Sequence, residues 1–131
     1  MPTFGKTSRN RLDTCHTDLQ LILEEAIKYV DFSILCGHRN KKDQNRYYNS
    51  KPQRSKVEYP HSKHNTSPSL AVDIAPYPID WNNINRFRAL VFFIKGIAIT
   101  KGINIRLGID WNGDFINNEK FVDAPHIELV M

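Results

Sequence analysis

Residue types that bind divalent metals stand in this chain where strands would hold them rigidly. His64 precedes an apolar run, Asp73 lies nine positions later inside it, and His126 opens the last apolar segment. A catalytic zinc site takes about three such donors and leaves one position open for water. Asp73 is conspicuous by itself, because it interrupts Leu70-Ala71-Val72-Asp73-Ile74-Ala75. A carboxylate in such a run is costly to bury unless a positive group meets it. That group could be an ion, although a salt bridge to an arginine or a hydrogen-bonded turn would satisfy Asp73 equally. His126 also reads as a core histidine bonded to backbone, and His64, in a polar loop, as an ordinary exposed one. Asp123 lies three residues before His126, across Ala124-Pro125. Beside a metal held by His126 it could serve as a base; without one it is a turn residue.

The elements that must position these groups follow from periodicity. Leu19, Ile22, Leu23, Ala26, Ile27 and Val30 recur at helical spacing and predict an amphipathic helix over 17–30, with Thr17 and Gln20 as a capping box. Residues 32–36 read as a buried strand stopped by Gly37, which delivers His38 and Arg39 at its end. A short helix around 42–48 leads into a long basic loop containing Pro52 and Pro60. A second strand over 70–75 ends at Pro76-Tyr77-Pro78. Asn82 or Asn83 then caps the main core helix, which runs to about Lys101 and stops at Gly102. Strands are expected over 104–109 and 124–130, with turns between them. This order predicts one α+β domain over residues 1–131, a small, mostly antiparallel sheet packed with two to three helices.

The chain of 131 residues is 40% hydrophobic, enough for one real core without disulfides. Cys15 and Cys36 lie in different segments, neither with a second cysteine at metal-site spacing, so both are expected to be free buried thiols in a reducing cytoplasm. The formal charge of +4 is uneven, since residues 38–64 hold eight basic side chains against two acidic ones. Such a block suits a polyanionic partner, nucleic acid or an anionic wall polymer, and equally a solvated loop. Tyr47, Tyr48 and Tyr59 among these cations could stack on a polymer, although anchoring of the loop is the stronger expectation. The first twenty residues lack the apolar core of a secretory signal, and no later stretch approaches the ~18 apolar residues of a membrane span.

Ser62-Lys63-His64, Ala71-Val72-Asp73-Ile74-Ala75-Pro76, Gly108-Ile109-Asp110-Trp111-Asn112 and Asp123-Ala124-Pro125-His126-Ile127-Glu128-Leu129 occur in this order. Together they resemble the D-alanyl-D-alanine carboxypeptidase and L-alanyl-D-glutamate endopeptidase family, and most closely the small endolysins of tailed phages. Phe4-Gly5-Lys6, with Ser8 and Leu12, is also similar to the start of those enzymes, so the resemblance spans nearly the whole chain. It implies a hedgehog/DD-peptidase-like fold and a Zn2+ ion held by His64, Asp73 and His126. It further implies Asp123 as general base and Arg39 as the arginine that binds substrate or stabilises the oxyanion. The interval from His64 to Asp73 departs from the family by being slightly longer and by carrying Ser67-Pro68-Ser69 in place of a glycine. Should the extra residues displace the ligand, His61 is the alternative histidine.

The implied substrate is the stem peptide of peptidoglycan. L-alanyl-D-glutamate endopeptidase activity is the first expectation and D-alanyl-D-alanine carboxypeptidase activity the second. The expected protein is a monomer made in the host cytoplasm, without membrane insertion, that reaches the wall on release. A basic nucleic-acid-binding module would explain the charge but neither Asp73 nor the Asp123 to His126 spacing. A metal-bearing but inactive binding domain of hedgehog type is disfavoured by Asp123. Trp111 and Asp110 could line the cleft or pack. Glu128 shares a strand face with His126 and could orient it or, the preferred reading, cap the core edge. The sequence leaves open whether a further metal such as calcium sits among Asp110, Asn112, Asp114 and Asn117.

Overall fold

In the computed structural model, residues 2–131 are described. Four α-helices and four strands follow in the order α1 (Lys6–Leu12), α2 (Thr17–Ala26), β1 (Phe32–Cys36), α3 (Lys41–Asn49), β2 (Ala71–Pro76), α4 (Ile84–Thr100), β3 (Ile105–Leu107) and β4 (His126–Leu129). A single 3-10 turn, Lys63–Asn65, precedes β2. The strands form one antiparallel sheet in the order β1-β2-β4-β3, so the last strand inserts between β2 and β3. The expected α+β class and small antiparallel sheet are present, with one helix more than the expected two to three.

Alternation along the strands divides the sheet into an apolar face and a polar one. Val72 and Ile74 of β2, and Ile127 and Leu129 of β4, enter the core. There they join Leu19, Ile22 and Leu23 of α2 and Leu90, Val91 and Ile94 of α4. Asp73, His126 and Glu128 occupy the intervening positions and project from the other face. Helix α2 packs on α4, α4 on β2 and β3, and α1 on β1.

One irregularity matters for the site. Phe32, Ser33 and Ile34 of β1 pair with Pro76, Ala75 and Ile74, but Cys36 pairs with Asp73, because the register shifts between Ile34 and Cys36. A bulge of this kind re-aims the side chain that follows it. Phe32 and Ile34 point into the core, and regular alternation would have sent Cys36 after them. The bulge turns it to the polar face beside Asp73 instead. Cys36 is therefore half-buried, not buried as expected, whereas Cys15 does lie in the core; both thiols are free.

Several boundaries differ from the periodicity. Helix α2 stops at Ala26, so Ile27 and Val30 pack from a turn. Its cap is His16, whose Nδ1 accepts from Asp18 N (3.0 Å), and the Gln20 amide reaches the Cys15 carbonyl (2.9 Å), so no Thr17 capping box forms. Helix α1 carries no apolar stripe beyond Leu12 and was not foreseen from periodicity. Asn83 caps α4, and Gly102 ends it at φ +70°, a conformation in which glycine carries no side-chain penalty.

Candidate active site

Strand register assembles the first part of the site. Asp73 pairs with Cys36 on one side and His126 on the other, so the three side chains form a row across β1, β2 and β4. His64 enters from the 3-10 turn, whose Ser62 and Asn65 form a reciprocal cap. Its Nε2 comes within 3.3 Å of Asp73 Oδ1, the same oxygen that lies 3.3 Å from His126 Nδ1. The two imidazole rings are 5.2 Å apart, edge to face. Asp123 Oδ2 lies 3.9 Å from His126 Nδ1. Donor atoms of Asp73, Asp123 and His126 fall within 4.8 Å of one another, as do those of Cys36, His64 and Asp73, so Asp73 belongs to both groups.

The outer nitrogens of both histidines are fixed. His64 Nδ1 donates to the Gly37 carbonyl (2.8 Å) and His126 Nε2 donates to Glu128 Oε1 (2.9 Å). Metal-ligating histidines are oriented in this way, with one nitrogen bound to an acceptor and the other left for the ion. His64 Nε2 is buried without a hydrogen-bonding partner, and the whole residue is only 2% exposed. The polar group that faces it is the Asp73 carboxylate, at 3.3 Å. Two imidazoles, a carboxylate and a neighbouring acid are a donor set that fits a divalent cation.

Charge is concentrated here. Burial pulls His64 down, but the Asp73 carboxylate outweighs it and pushes the pKa up to about 10. Burial also pulls His126 down, and its bonds to Asp73 and Glu128 carry it up to about 9. Asp73 would be raised by burial, yet the two histidines hold it far below the usual carboxylate range. Burial, and then the charge of Asp73, raise Asp123 above that range despite the nearby cations. These groups line an open cavity of about 880 Å³ whose wall also includes Trp81, Trp111 and Phe121.

Relatives of known type share this chain's sequence and shape. The family model described as phage L-alanyl-D-glutamate peptidase matches residues 2–130. The L-alanyl-D-glutamate peptidase of Escherichia phage T5 is 34% identical over 137 residues, covering 97% of this chain and 97% of that protein. The chain belongs to the phage L-alanyl-D-glutamate peptidase family. Its fold is also that of the Serratia marcescens L-Ala D-Glu endopeptidase ChiX, with a TM-score of 0.74 at 23% identity, over 97% of this chain and 89% of that one.

Within this family member, Asp73 makes the salt bridge to an arginine that was one of the alternatives left open by its sequence context. Its Oδ1 faces the histidines, while Oδ2 accepts from Arg39 Nη2 (3.3 Å). Arg39 is 8% exposed, and its other terminal nitrogen donates to Gln44 Oε1 (3.0 Å). Gln44 was missed by the sequence reading. It is fully buried and also donates to Ser55 Oγ and the Val57 carbonyl, tying α3 to the loop beyond it. A signal existed, since α3 has no apolar stripe and so must seat through a polar contact.

Glu128 does more than cap the core edge. Besides His126 it meets Lys63 (3.3 Å) and Arg106 (3.6 Å). Trp111 fills both roles considered for it: its Nε1 donates to the Phe121 carbonyl, and its ring lies 5.5 Å from that of His126. Tyr47 anchors the loop, with Arg54 and Arg39 over its ring at 4.2 and 4.6 Å. His61 is exposed on the cavity wall and belongs to none of the metal-capable groups among the described residues. Asp110 and Asp114 form a separate group with Glu119, and one Asp110 oxygen is buried without a partner. No helix among the described residues is long and apolar enough to cross a membrane.

Proposed function

We propose that this family member is a zinc-dependent endopeptidase that hydrolyses the L-alanyl-D-glutamate bond in the stem peptide of peptidoglycan. His64, Asp73 and His126 hold the ion and Asp123 acts as the base. The observation that carries the reading is the convergence of two buried imidazoles on one Asp73 oxygen, each with its outer nitrogen already bound to an acceptor. Membership of the family supplies the substrate class.

Bound there, zinc supplies Lewis acidity, polarising the scissile carbonyl and making water acidic enough to attack near neutral pH. Asp123 stands at the cavity edge with its carboxylate biased toward accepting a proton. It takes the proton from the attacking water and returns it to the departing amine. Glu128 and Gly37 keep the two imidazoles turned inward. Arg39 keeps Asp73 in place, and its guanidinium on the cavity wall is the positive charge available to bind substrate or stabilise the oxyanion.

Mass spectrometry of purified peptidoglycan fragments, digested with and without chelator, tests this. The expected products carry a new free amine on D-glutamate and disappear when the metal is removed. Loss of the terminal D-alanine alone would instead establish a D-alanyl-D-alanine carboxypeptidase.

A further inference from the structure

The departing half of the substrate carries a charge that neither Asp123 nor the ion answers. Glutamate has two carboxyl groups, and whichever of them continues the peptide, the other stays free on the residue that supplies the scissile nitrogen. Asp123 marks the side on which that residue lies, because it returns the proton to the departing nitrogen. The segment Phe121-Val122-Asp123 lines the cavity, and the Lys56 ammonium stands over the Phe121 ring, 4.6 Å from its centroid. The Phe121 ring in turn lies nearly parallel to that of Trp111, with 13° between their planes and 6.3 Å between centroids, and Trp111 abuts the His126 ring at 5.5 Å. An aromatic shelf thus runs from a candidate ligand of the ion to Lys56.

Other cations on the cavity wall are already engaged: Arg39 by Asp73, Lys63 by Glu128, Arg54 by the Tyr47 ring it shares with Arg39, and Arg11 by the Ile34 carbonyl. Lys56 makes no ion pair among the described residues, and an ammonium over a ring face keeps N–H donors for a carboxylate. Its backbone is held in place, since Ser55 Oγ and the Val57 carbonyl, on either side of it, both accept from the amide of the buried Gln44 (2.8 and 2.6 Å). We infer that Lys56 determines specificity by binding the free glutamate carboxylate on the departing side of the scissile bond, an assignment that rests on the endopeptidase reading above with Asp123 as its base. A charge-assisted hydrogen bond of this kind is available alike to bound substrate and transition state, so it acts on KM and leaves kcat nearly unchanged.

Zinc-loaded enzyme is assayed on two peptides, one containing L-alanyl-D-glutamate with its free carboxylate and one in which that carboxylate is a primary amide. The ratio of their kcat/KM values is independent of how much of a preparation is folded. The unaltered chain is expected to favour the acid about tenfold through KM. Lys56→Met should raise KM for the acid by the same factor, leave the amide unchanged and so abolish the preference, whereas Lys56→Arg should keep most of it. Lys51→Met, which removes an exposed charge from the same loop, should keep the preference in full. An unaltered chain that cleaves both peptides equally well, or a Lys56→Met chain that still prefers the acid, overturns the role of Lys56. So does an equal loss on both peptides, the mark of a merely structural lysine. Cleavage of neither peptide at the L-alanyl-D-glutamate bond would instead sink the endopeptidase reading, and this inference with it.

Discussion

The two oxygens of Asp73 face different partners, the histidines on one side and Arg39 on the other. Without an ion, the carboxylate holds both imidazoles in their protonated form, at about 10 for His64 and about 9 for His126 against an ordinary 6.5. A folded-state pKa above the unfolded one stabilises the fold fully below the unfolded value and stops doing so once the folded value is passed. Metal-free protein is thus expected to keep its Tm up to about neutrality and to lose stability as pH rises from 7 through 10, as calorimetry would show. For the same reason zinc uptake at pH 7 must expel the histidine protons. Isothermal titration in two buffers of different protonation enthalpy should therefore show net proton release. Equal heats in both buffers would contradict protonated histidines in the metal-free site. In the proposed mechanism Asp123 acts on the reaction and not on the architecture, so Asp123→Ala is expected to bind zinc normally and lower kcat by about 10²–10⁴-fold. Retention of near-normal turnover would remove it as the base.

At the scale of elements, the turn between β3 and β4 is clamped by backbone. Gly108 N donates to the His126 carbonyl (2.8 Å) and the Gly108 carbonyl accepts from Asp123 N (2.9 Å). A Cβ at position 108 would stand 2.2 Å from the Asp123 carbonyl oxygen and 2.9 Å from the His126 Cβ. Gly108→Ala therefore has to push Asp123 and His126 apart, and the expected result is weaker zinc retention together with lower kcat in a chain that still folds. Helix α3 makes a second case. Gln44→Leu removes one partner each from the buried Arg39 guanidinium and the Val57 carbonyl, and should cost about 1–3 kcal/mol in denaturant unfolding while also lowering activity. The main elements were legible because apolar spacing records them: α4 announces itself through Phe87, Leu90, Val91, Ile94 and Ala98 and its Asn83 cap. Helix α3 was expected around 42–48 and is present, but α1 has no buried residue besides Leu12 and leaves no periodic trace. The bulge in β1 is equally silent in Ile34-Leu35-Cys36, since nothing in those side chains says where pairing slips.

For the molecule as a whole, one apolar cluster joins α2, α4 and the inner face of the sheet. Ile74 sits in it directly beside Asp73, so Ile74→Ala should cost about 2–5 kcal/mol and drag the site with it. The proposed zinc works in the opposite direction. Binding only the folded chain, it should stabilise by about 2.7 kcal/mol once free metal exceeds its Kd roughly a hundredfold, so chelator should lower Tm. Placement of the candidate ligands was legible only through four motifs taken together. Spacing alone left Asp73, His126 and Asp123 each with an ordinary alternative. The insertion of β4 between β2 and β3 is what makes Asp73 and His126 neighbours, and no local pattern encodes that order.

The seat of Arg39 has a practical corollary for anyone tuning the salt tolerance of this peptidase. Arg39 and Arg54 share the Tyr47 ring, and Gln44 holds the same assembly from below, so the cationic segment and the cleft wall are one piece of masonry. Charge can be trimmed at Lys51, which points to solvent and takes no part in that stack. Taking it from Arg54 instead would loosen the stone on which Arg39 rests.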